Sequence, residues 1–252
     1  INLELTTNRK GLRIYPINLH SICYNMAGPE YPHPMNIPPV FQPVVTRFEE
    51  TNNCTNVKLE ISSIDEKFSA LFMNNVKNKR VVYCGHIPLS VKKIWLDRHE
   101  LLPTSPEAIR EILPNVFEIH FITPTVFQKE GRIFYVMPSL LSMMMSVGRN
   151  LGILFGIKLP RDIIRSINKK IGITSANIRT ETVLTGIADD QEIPAFTGNI
   201  ELSLHHLNDE EKRTLTFLLK WAEWMGVGKR RGYGLGVIRV KSKNESVKRQ
   251  AM

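Results

Sequence analysis

The segment "LLKWAEWMGVGKRRGYGLGVIRV", residues 218–240, joins a helix-like run to a strand-like run through five glycines and three consecutive cations. Its first part ends a longer pattern, "LNDEEKRTLTFLLKWAEWMG" (207–226), whose Asn/Asp start predicts a helix. Its last part, "LGVIRVK", predicts a strand. The last folded part of the chain is therefore predicted as helix, basic loop and strand. We call residues 226–236 the glycine-rich loop.

Neither of the two common nucleotide-binding glycine motifs fits this loop. A dinucleotide fingerprint needs G-x-G-x-x-G after a strand, whereas here a helix comes first and the spacing from Gly228 to Gly232 is one residue too long. A P-loop closes on Gly-Lys-Ser/Thr, whereas Arg230 follows Gly228-Lys229. The pattern therefore argues against a nucleotide site.

Nucleic-acid binding explains the composition of the glycine-rich loop better. Absent side chains let another backbone approach closely, Arg grips phosphate, and an aromatic ring can stack on a base. Two glycines would suffice for a flexible connection whose cations face water, so five favour binding. The predicted RNA contacts here are Gly226, Gly228, Lys229, Arg230, Arg231, Gly232, Tyr233, Gly234 and Gly236.

Composition limits the class of protein. The 252 residues suggest one large domain or two small ones, and 42% hydrophobic residues is ordinary for a soluble chain. The net charge of +9 favours a polyanionic partner, either nucleic acid or an anionic membrane surface; a merely basic protein is the alternative. Because Arg149, Asn150 and three glycines interrupt the most apolar segment (137–157), we expect no membrane span and a cytoplasmic protein.

Three cysteines, Cys23, Cys54 and Cys84, are scattered along the chain. No pair has the close spacing of a zinc site or a redox motif, and the odd count argues against a disulfide framework. They predict inert thiols in a reducing compartment, with no metal site and no cofactor.

The order of elements predicts the fold. The first hundred residues give strand (1–7), helix (16–28), two strands, helix (63–76) and strand (81–96), which is the order of the ferredoxin-like unit. A proline-punctuated stretch (97–115) predicts a domain boundary. After it come a hairpin of 116–125 with 131–138, two helices, two extended runs and the final helix and strand. We predict an α+β protein of two tandem ferredoxin-like domains, 1–100 and 116–243, with a basic tail at 244–252.

These segments also resemble a known family. The stretch 218–240 resembles the C-terminal signature of the RAMP superfamily, and "FEIHFITPTVFQKEGRIFYVMPSLLSMMMSVGRNL" (117–151) and "FTGNIELSL" (196–204) extend the likeness. More loosely, so does "YPINLHSICYNMAG" (15–28). Within that superfamily the chain looks most like the CRISPR-associated endoribonuclease that cuts precursor CRISPR RNA within its repeats. The resemblance implies tandem ferredoxin-like folds, in agreement with the order of elements.

The resemblance further implies a reaction and its residues. The family cleaves RNA without metal through the substrate's own 2′-hydroxyl, and often places a histidine on or just after the first helix with a tyrosine nearby. Here His33 follows that helix and His20 lies on it, one turn before Tyr24. We predict catalysis by His33 with Tyr24, and by His20 as the alternate. A packed helix histidine and an incidental loop histidine are the structural alternatives.

Cations on a second segment extend the predicted RNA surface. "LPRDIIRSINKKIG" (159–172) predicts a basic amphipathic helix, which is either a solvated face or a track for RNA phosphates. The implied partner is CRISPR repeat RNA, with other subunits of a CRISPR effector complex or a second copy of the chain as further candidates. The alternative function is a non-catalytic RAMP-type subunit that binds RNA in such a complex. The predicted contacts of this segment are Lys158, Arg161, Arg165 and Lys169.

Overall fold

Burial alternates along the first strand, which shows that the helices cover one face of its sheet. Leu3 and Leu5 are buried and Glu4 between them is exposed, because successive strand side chains point to opposite faces. The computed structural model describes residues 1–31, 37–97, 100–128, 133–186 and 192–243. Its first part, the N-terminal unit, consists of β1 (Asn2–Thr7), α1 (Pro16–Ala27), β2 (Phe41–Glu50), β3 (Thr55–Ser63), α2 (Glu66–Lys79), β4 (Val81–Cys84) and β5 (Ile87–Trp95).

The N-terminal sheet has the strand order β2-β3-β1-β5-β4, with every pairing antiparallel. This is the ferredoxin-like order with one extra edge strand. The single strand predicted for 81–96 is wrong: the chain turns at Gly85, whose φ is +60°, and forms a hairpin. Helix α2 is capped by Asp65, which accepts the backbone N–H of Phe68, and so begins after the predicted Ser63.

The C-terminal unit repeats the plan around a second core. The elements are β6 (Val116–Thr125), β7 (Phe127–Gln128), β8 (Phe134–Tyr135), α3 (Leu140–Phe155), α4 (Arg161–Lys170), β9 (Gly172–Leu184), β10 (Glu192–Ser203), α5 (Asp209–Met225) and β11 (Ile238–Lys243). The sheet has the antiparallel order β11-β6-β10-β9. The predicted hairpin of 116–125 with 131–138 is wrong: β6 pairs with β10 and β11, and the short strands β7 and β8 pair with each other.

The stretch predicted as a boundary packs on the C-terminal unit where it is described, at 100–115. Ile109 is buried in the second core, and the indole Nε1 of Trp221 donates to the Pro103 carbonyl oxygen at 2.9 Å. The predicted domain limits stay a prediction, and the tail 244–252 lies outside the described residues.

Polar contacts join the two units. Gln42 Nε2 on β2 donates to the Leu235 carbonyl oxygen at 3.2 Å, and Arg239 on β11 pairs with Glu60 on β3 at 2.8 Å. Each unit keeps its own apolar core, one around Phe68 and one around Phe217. The fold is therefore the predicted α+β arrangement of two ferredoxin-like units. No helix in the described ranges has the length and apolar character needed to cross a bilayer.

Candidate active site and nucleic-acid interface

Helix α1 presents two candidate catalytic side chains side by side. It begins at Pro16, where a missing N–H costs no helical hydrogen bond, and Asn18 accepts the backbone N–H of Tyr15 at 2.9 Å. His20 and Tyr24 are half-buried one turn apart, and their ring centroids lie 4.7 Å apart. The helix thus holds an imidazole next to a phenol.

The glycine-rich loop completes this cluster from the other end of the chain. The ring of Tyr233 stacks on His20, with centroids 4.2 Å apart and planes inclined by 11°. The guanidinium carbon of Arg230 lies 5.9 Å from the Tyr233 ring centroid. The structure therefore brings Tyr24, His20, Tyr233 and Arg230 together. His33, the other predicted catalytic histidine, lies outside the described residues.

The environment of Tyr24 keeps its hydroxyl protonated. Burial raises the pKa of Tyr24, and the neighbouring Cys23 and Tyr233 raise it further. The phenol is therefore a hydrogen-bond donor throughout the neutral range, suited to an oxygen that gains negative charge.

The glycines of the loop serve contacts within the protein. A Cβ on Gly232 would lie 2.9 Å from Pro39 Cβ, and one on Gly234 would lie 2.7 Å from the Pro43 carbonyl oxygen. A Cβ on Gly226 would likewise clash with the Gln42 side chain. Gly226, Gly232 and Gly234 thus pack against the N-terminal unit, whereas a Cβ on Gly228 or Gly236 would meet backbone of the C-terminal unit itself. RNA contact by these glycines stays a prediction.

A cleft of about 1230 Å³ runs between the two units beside this cluster. His20 and Tyr24 line one side, and α3, the start of α4 and the glycine-rich loop line the other. None of its lining residues in the described part of the chain is acidic. Its six cationic side chains are those of Arg149, Lys158, Arg161, Lys229, Arg230 and Arg231.

The structure separates the predicted RNA contacts into two groups. Lys158 and Arg161 line the cleft together with the loop cations, whereas Arg165 and Lys169 are exposed and do not line it. Arg165 instead lies 3.8 Å from Asp162 on its own helix. The predicted single track along α4 is therefore divided, and only its first part faces the cleft.

Two cleft residues were missed by the sequence-based site prediction. Arg149 and Asn150 counted only as polar interruptions of an apolar segment. Residues facing the cleft recur on α3 at helical spacing, and Arg149 is one of them, so the periodicity of that segment was the available signal.

Buried charge distinguishes Arg231 from the other loop cations. Its side chain donates from Nη1 to the Met225 carbonyl oxygen at 3.1 Å. Burial lowers the pKa of Arg231 to about 10, and the charge of Arg149 contributes to the decrease. The guanidinium is nonetheless charged at neutral pH.

Metal-ligating side chains do not gather in the described ranges: no three His, Cys, Asp or Glu residues lie together there as a metal site would need. The three cysteines are free thiols. The candidate site therefore consists of an imidazole, two phenols and a group of cations.

Residues 119–238 match the family model described as CRISPR-associated endoribonuclease Cas6. The family predicted from the sequence is thereby confirmed over this part of the chain. No curated protein matches the chain.

Solved structures share this fold over nearly the whole chain. The product complex of the Cas6 protein TTHA0078 matches with a TM-score of 0.73 and 20% identity, covering 96% of this chain and 98% of that one. The product complex of Thermus thermophilus Cas6 (TTHB231) matches with a TM-score of 0.73 and 19% identity, covering 95% of this chain and 99% of that one. A RAMP protein that binds different RNA substrates matches with a TM-score of 0.58 and 14% identity, covering 96% of this chain and 99% of that one.

Proposed function

We propose that this protein is an endoribonuclease that cuts precursor CRISPR RNA within its repeats. The observation that carries the proposal is the contact of His20 with both Tyr24 and Tyr233 at the edge of a cleft lined by six cations. Relatives with the same fold were solved as product and substrate-mimic complexes, which supports a role in substrate turnover. Repeat RNA is the proposed substrate, and the cytoplasm, where transcripts occur, is the proposed location.

The proposed reaction uses the RNA's own 2′-hydroxyl and no metal or cofactor. His20 takes the 2′-hydroxyl proton as O2′ bonds to phosphorus, and Tyr24 gives its proton to O5′ as the P–O5′ bond breaks. The imidazolium then returns a proton to the tyrosinate, whose ring lies 4.7 Å away between centroids, and both groups are restored. The products are a 2′,3′-cyclic phosphate and a 5′-hydroxyl.

Charge accumulates on the phosphorane, and the loop cations are placed to offset it. Arg230 lies beside Tyr233, and Lys229 precedes it on the cleft wall. Preorganised cations of this kind stabilise a transition state more than the ground state. Lys158 and Arg161 are proposed to hold phosphates further along the strand.

The sequence predicted His33 as the first choice of base and His20 as the alternate, and here His33 is kept as the alternative base. The described geometry supports His20, because a stacked partner and an adjacent phenol fix its ring. Single-turnover cleavage by His20→Ala and by His33→Ala decides between them. Loss of cleavage in His33→Ala alone transfers the role to His33 and leaves the proposed reaction in place.

The function itself is tested by incubating the protein with its cognate repeat RNA in EDTA and mapping the ends. We expect one cut per repeat, with a 2′,3′-cyclic phosphate upstream and a 5′-hydroxyl downstream. Tight binding without cleavage would overturn the enzyme and support a non-catalytic RNA-binding subunit. Size-exclusion chromatography of the product complex tests whether a second copy or effector subunits join it.

A further inference from the structure

Arg231 is a buried cation whose charge lacks a carboxylate among the residues that the structure describes. Only 6% of the residue is exposed, and its one recorded side-chain bond goes to a neutral carbonyl oxygen. A buried guanidinium is normally paired, because removing a charge from water is costly. The like charge of Arg149 increases that cost.

Asn150 adds an unused donor to the same wall. The residue is 1% exposed, and its Nδ2 has no acceptor within the described ranges. Buried amide groups are nearly always hydrogen-bonded, so such a donor requires an explanation. Asn150 lines the cleft at the border between the core face and the cleft face of α3.

Arg231 and Asn150 offer buried donors, the Asn150 Nδ2 donor has no acceptor within the described ranges, and Arg149 adds an exposed positive charge. All three line the cleft, and no acidic side chain does so in the described ranges. We propose that these three side chains form a subsite for a single phosphodiester of the bound RNA, in which Arg231 and Asn150 are buried and Arg149 is exposed. The proposal deepens the proposed function, on which it rests for the identity of the ligand, and it assigns Arg149 and Asn150 a role beside the loop.

This subsite differs in kind from the exposed cations of the cleft. Lys229 and Lys158 are exposed and meet phosphate as solvated charges. The guanidinium of Arg231 already loses most of its water when the protein folds. A phosphate that binds it therefore forms a stronger contact, from which water is excluded. The subsite would therefore fix the register of the strand relative to His20.

Asn150→Leu gives a sharp test because the stability and binding effects have opposite signs. Removing a buried donor without a partner should leave the thermal midpoint unchanged or raised, since Leu has similar volume. Affinity for repeat RNA with a 2′-deoxy cleavage site, measured by fluorescence anisotropy, should fall roughly 5- to 10-fold. A lowered midpoint with unchanged affinity would show a purely structural amide and overturn the proposal.

Two further variants keep the test decisive should Asn150→Leu fold poorly. Asn150→Asp places a carboxylate in the lining of the cleft that also contains the buried cation, and we expect weakened RNA binding with no loss of stability. Arg231→Met should weaken RNA binding roughly 10- to 100-fold and reduce the salt slope of log Kd by about 0.7. Lys77→Gln, which removes an exposed cation from α2, is the matched control and should change neither quantity.

Inorganic phosphate is the second probe, and it is independent of RNA cleavage. Phosphate should raise the thermal midpoint of the unaltered protein above that in chloride of equal ionic strength, and should not do so for Asn150→Asp. Equal shifts in both proteins overturn the subsite even if repeat RNA is cut. A phosphate-specific shift with no cleavage of repeat RNA overturns the proposed function and leaves the subsite intact.

Discussion

Gly234 shows at the scale of one residue why one position of the glycine-rich loop tolerates no side chain. Its φ is +84°, and a Cβ there would lie 2.7 Å from the Pro43 carbonyl oxygen and 2.9 Å from Leu19 Cδ1. Neither Pro43 nor Leu19 belongs to the unit that carries the loop. The need for glycine at this position is therefore set by docking of the two units, in addition to backbone conformation.

Gly234→Ala should accordingly cost more than backbone strain alone. We expect the free energy of unfolding to fall by about 3 kcal/mol, the sum of a positive-φ cost and an overpacking cost. Gly156→Ala is the matched control, because Gly156 has φ +70° and open space where its Cβ would lie, so about 1 kcal/mol is expected. Urea denaturation measures both, and equal losses would contradict the steric argument.

Tyr24→Phe tests the phenol as a proton donor. The cleavage rate should fall roughly 100-fold or more while the affinity for uncleavable RNA stays unchanged, because only the hydroxyl is removed. Since the pKa of Tyr24 is raised above its usual value near 10, its ionisation should not reduce the rate at any pH below that value. An alkaline fall in the rate below about pH 10 that disappears in Tyr24→Phe would contradict this assignment.

At the scale of elements, one carboxylate links α4 to α5. Glu211 forms a capping box with Asn208 and also accepts hydrogen bonds from Lys170 Nζ at 2.6 Å and Ser166 Oγ at 2.7 Å. Burial opposes its ionisation, but the bonds from Lys170, Ser166 and the Asn208 backbone outweigh it and lower the pKa of Glu211. The capping box fixes where α5 starts, and the other two bonds fix α4 against it.

Glu211→Gln should therefore destabilise the protein in a pH-dependent way. A lowered folded pKa gives stability that is fully present above the unfolded pKa of about 4.3 and is lost as pH falls through the folded value. We expect a loss of about 2 kcal/mol at neutral pH that shrinks on acidification. Glu210→Gln, at an exposed neighbouring position, should change stability by less than about 0.5 kcal/mol at either pH.

Local patterns predicted these elements well because helices and strands are coded by neighbouring residues. The Asn/Asp start placed α5, and alternation placed β1. The hairpin at Gly85 was not predicted, because residues 81–96 resemble one continuous strand in the sequence. The contact of His20 with Tyr233 could not be predicted, because it depends on how two separately folded units pack, and no local periodicity records that.

At the scale of the whole molecule, charge is concentrated in the cleft between the units. Six cations line it with no acidic lining residue in the described ranges, so counterion release should dominate RNA affinity. The exposed cations of α4 are divided between cleft and solvent, with Arg161 inside and Arg165 outside. The contribution of a cation to RNA affinity should therefore depend on where the cation lies along α4.

Two double variants compare the two groups of cations. Lys158→Gln with Arg161→Gln should reduce the salt slope of log Kd by about 1.4, because two phosphate contacts are lost from a single strand. Arg165→Gln with Lys169→Gln removes the same charge and should change the slope by less than about 0.3. Equal reductions would show that Arg165 and Lys169 also contact RNA, as the sequence predicts.

The position of Tyr233 has a consequence for the newly made chain. His20 leaves the ribosome long before Tyr233, and the ring that stacks on it is made after all the described helices and strands named above except β11. A nascent chain that stops anywhere before the glycine-rich loop carries its imidazole and phenol without their stacked partner and with only part of the cationic wall. Under the proposed function, RNA cutting is thus delayed until the glycine-rich loop has been made, and translation products that stop before it would leave cellular transcripts untouched.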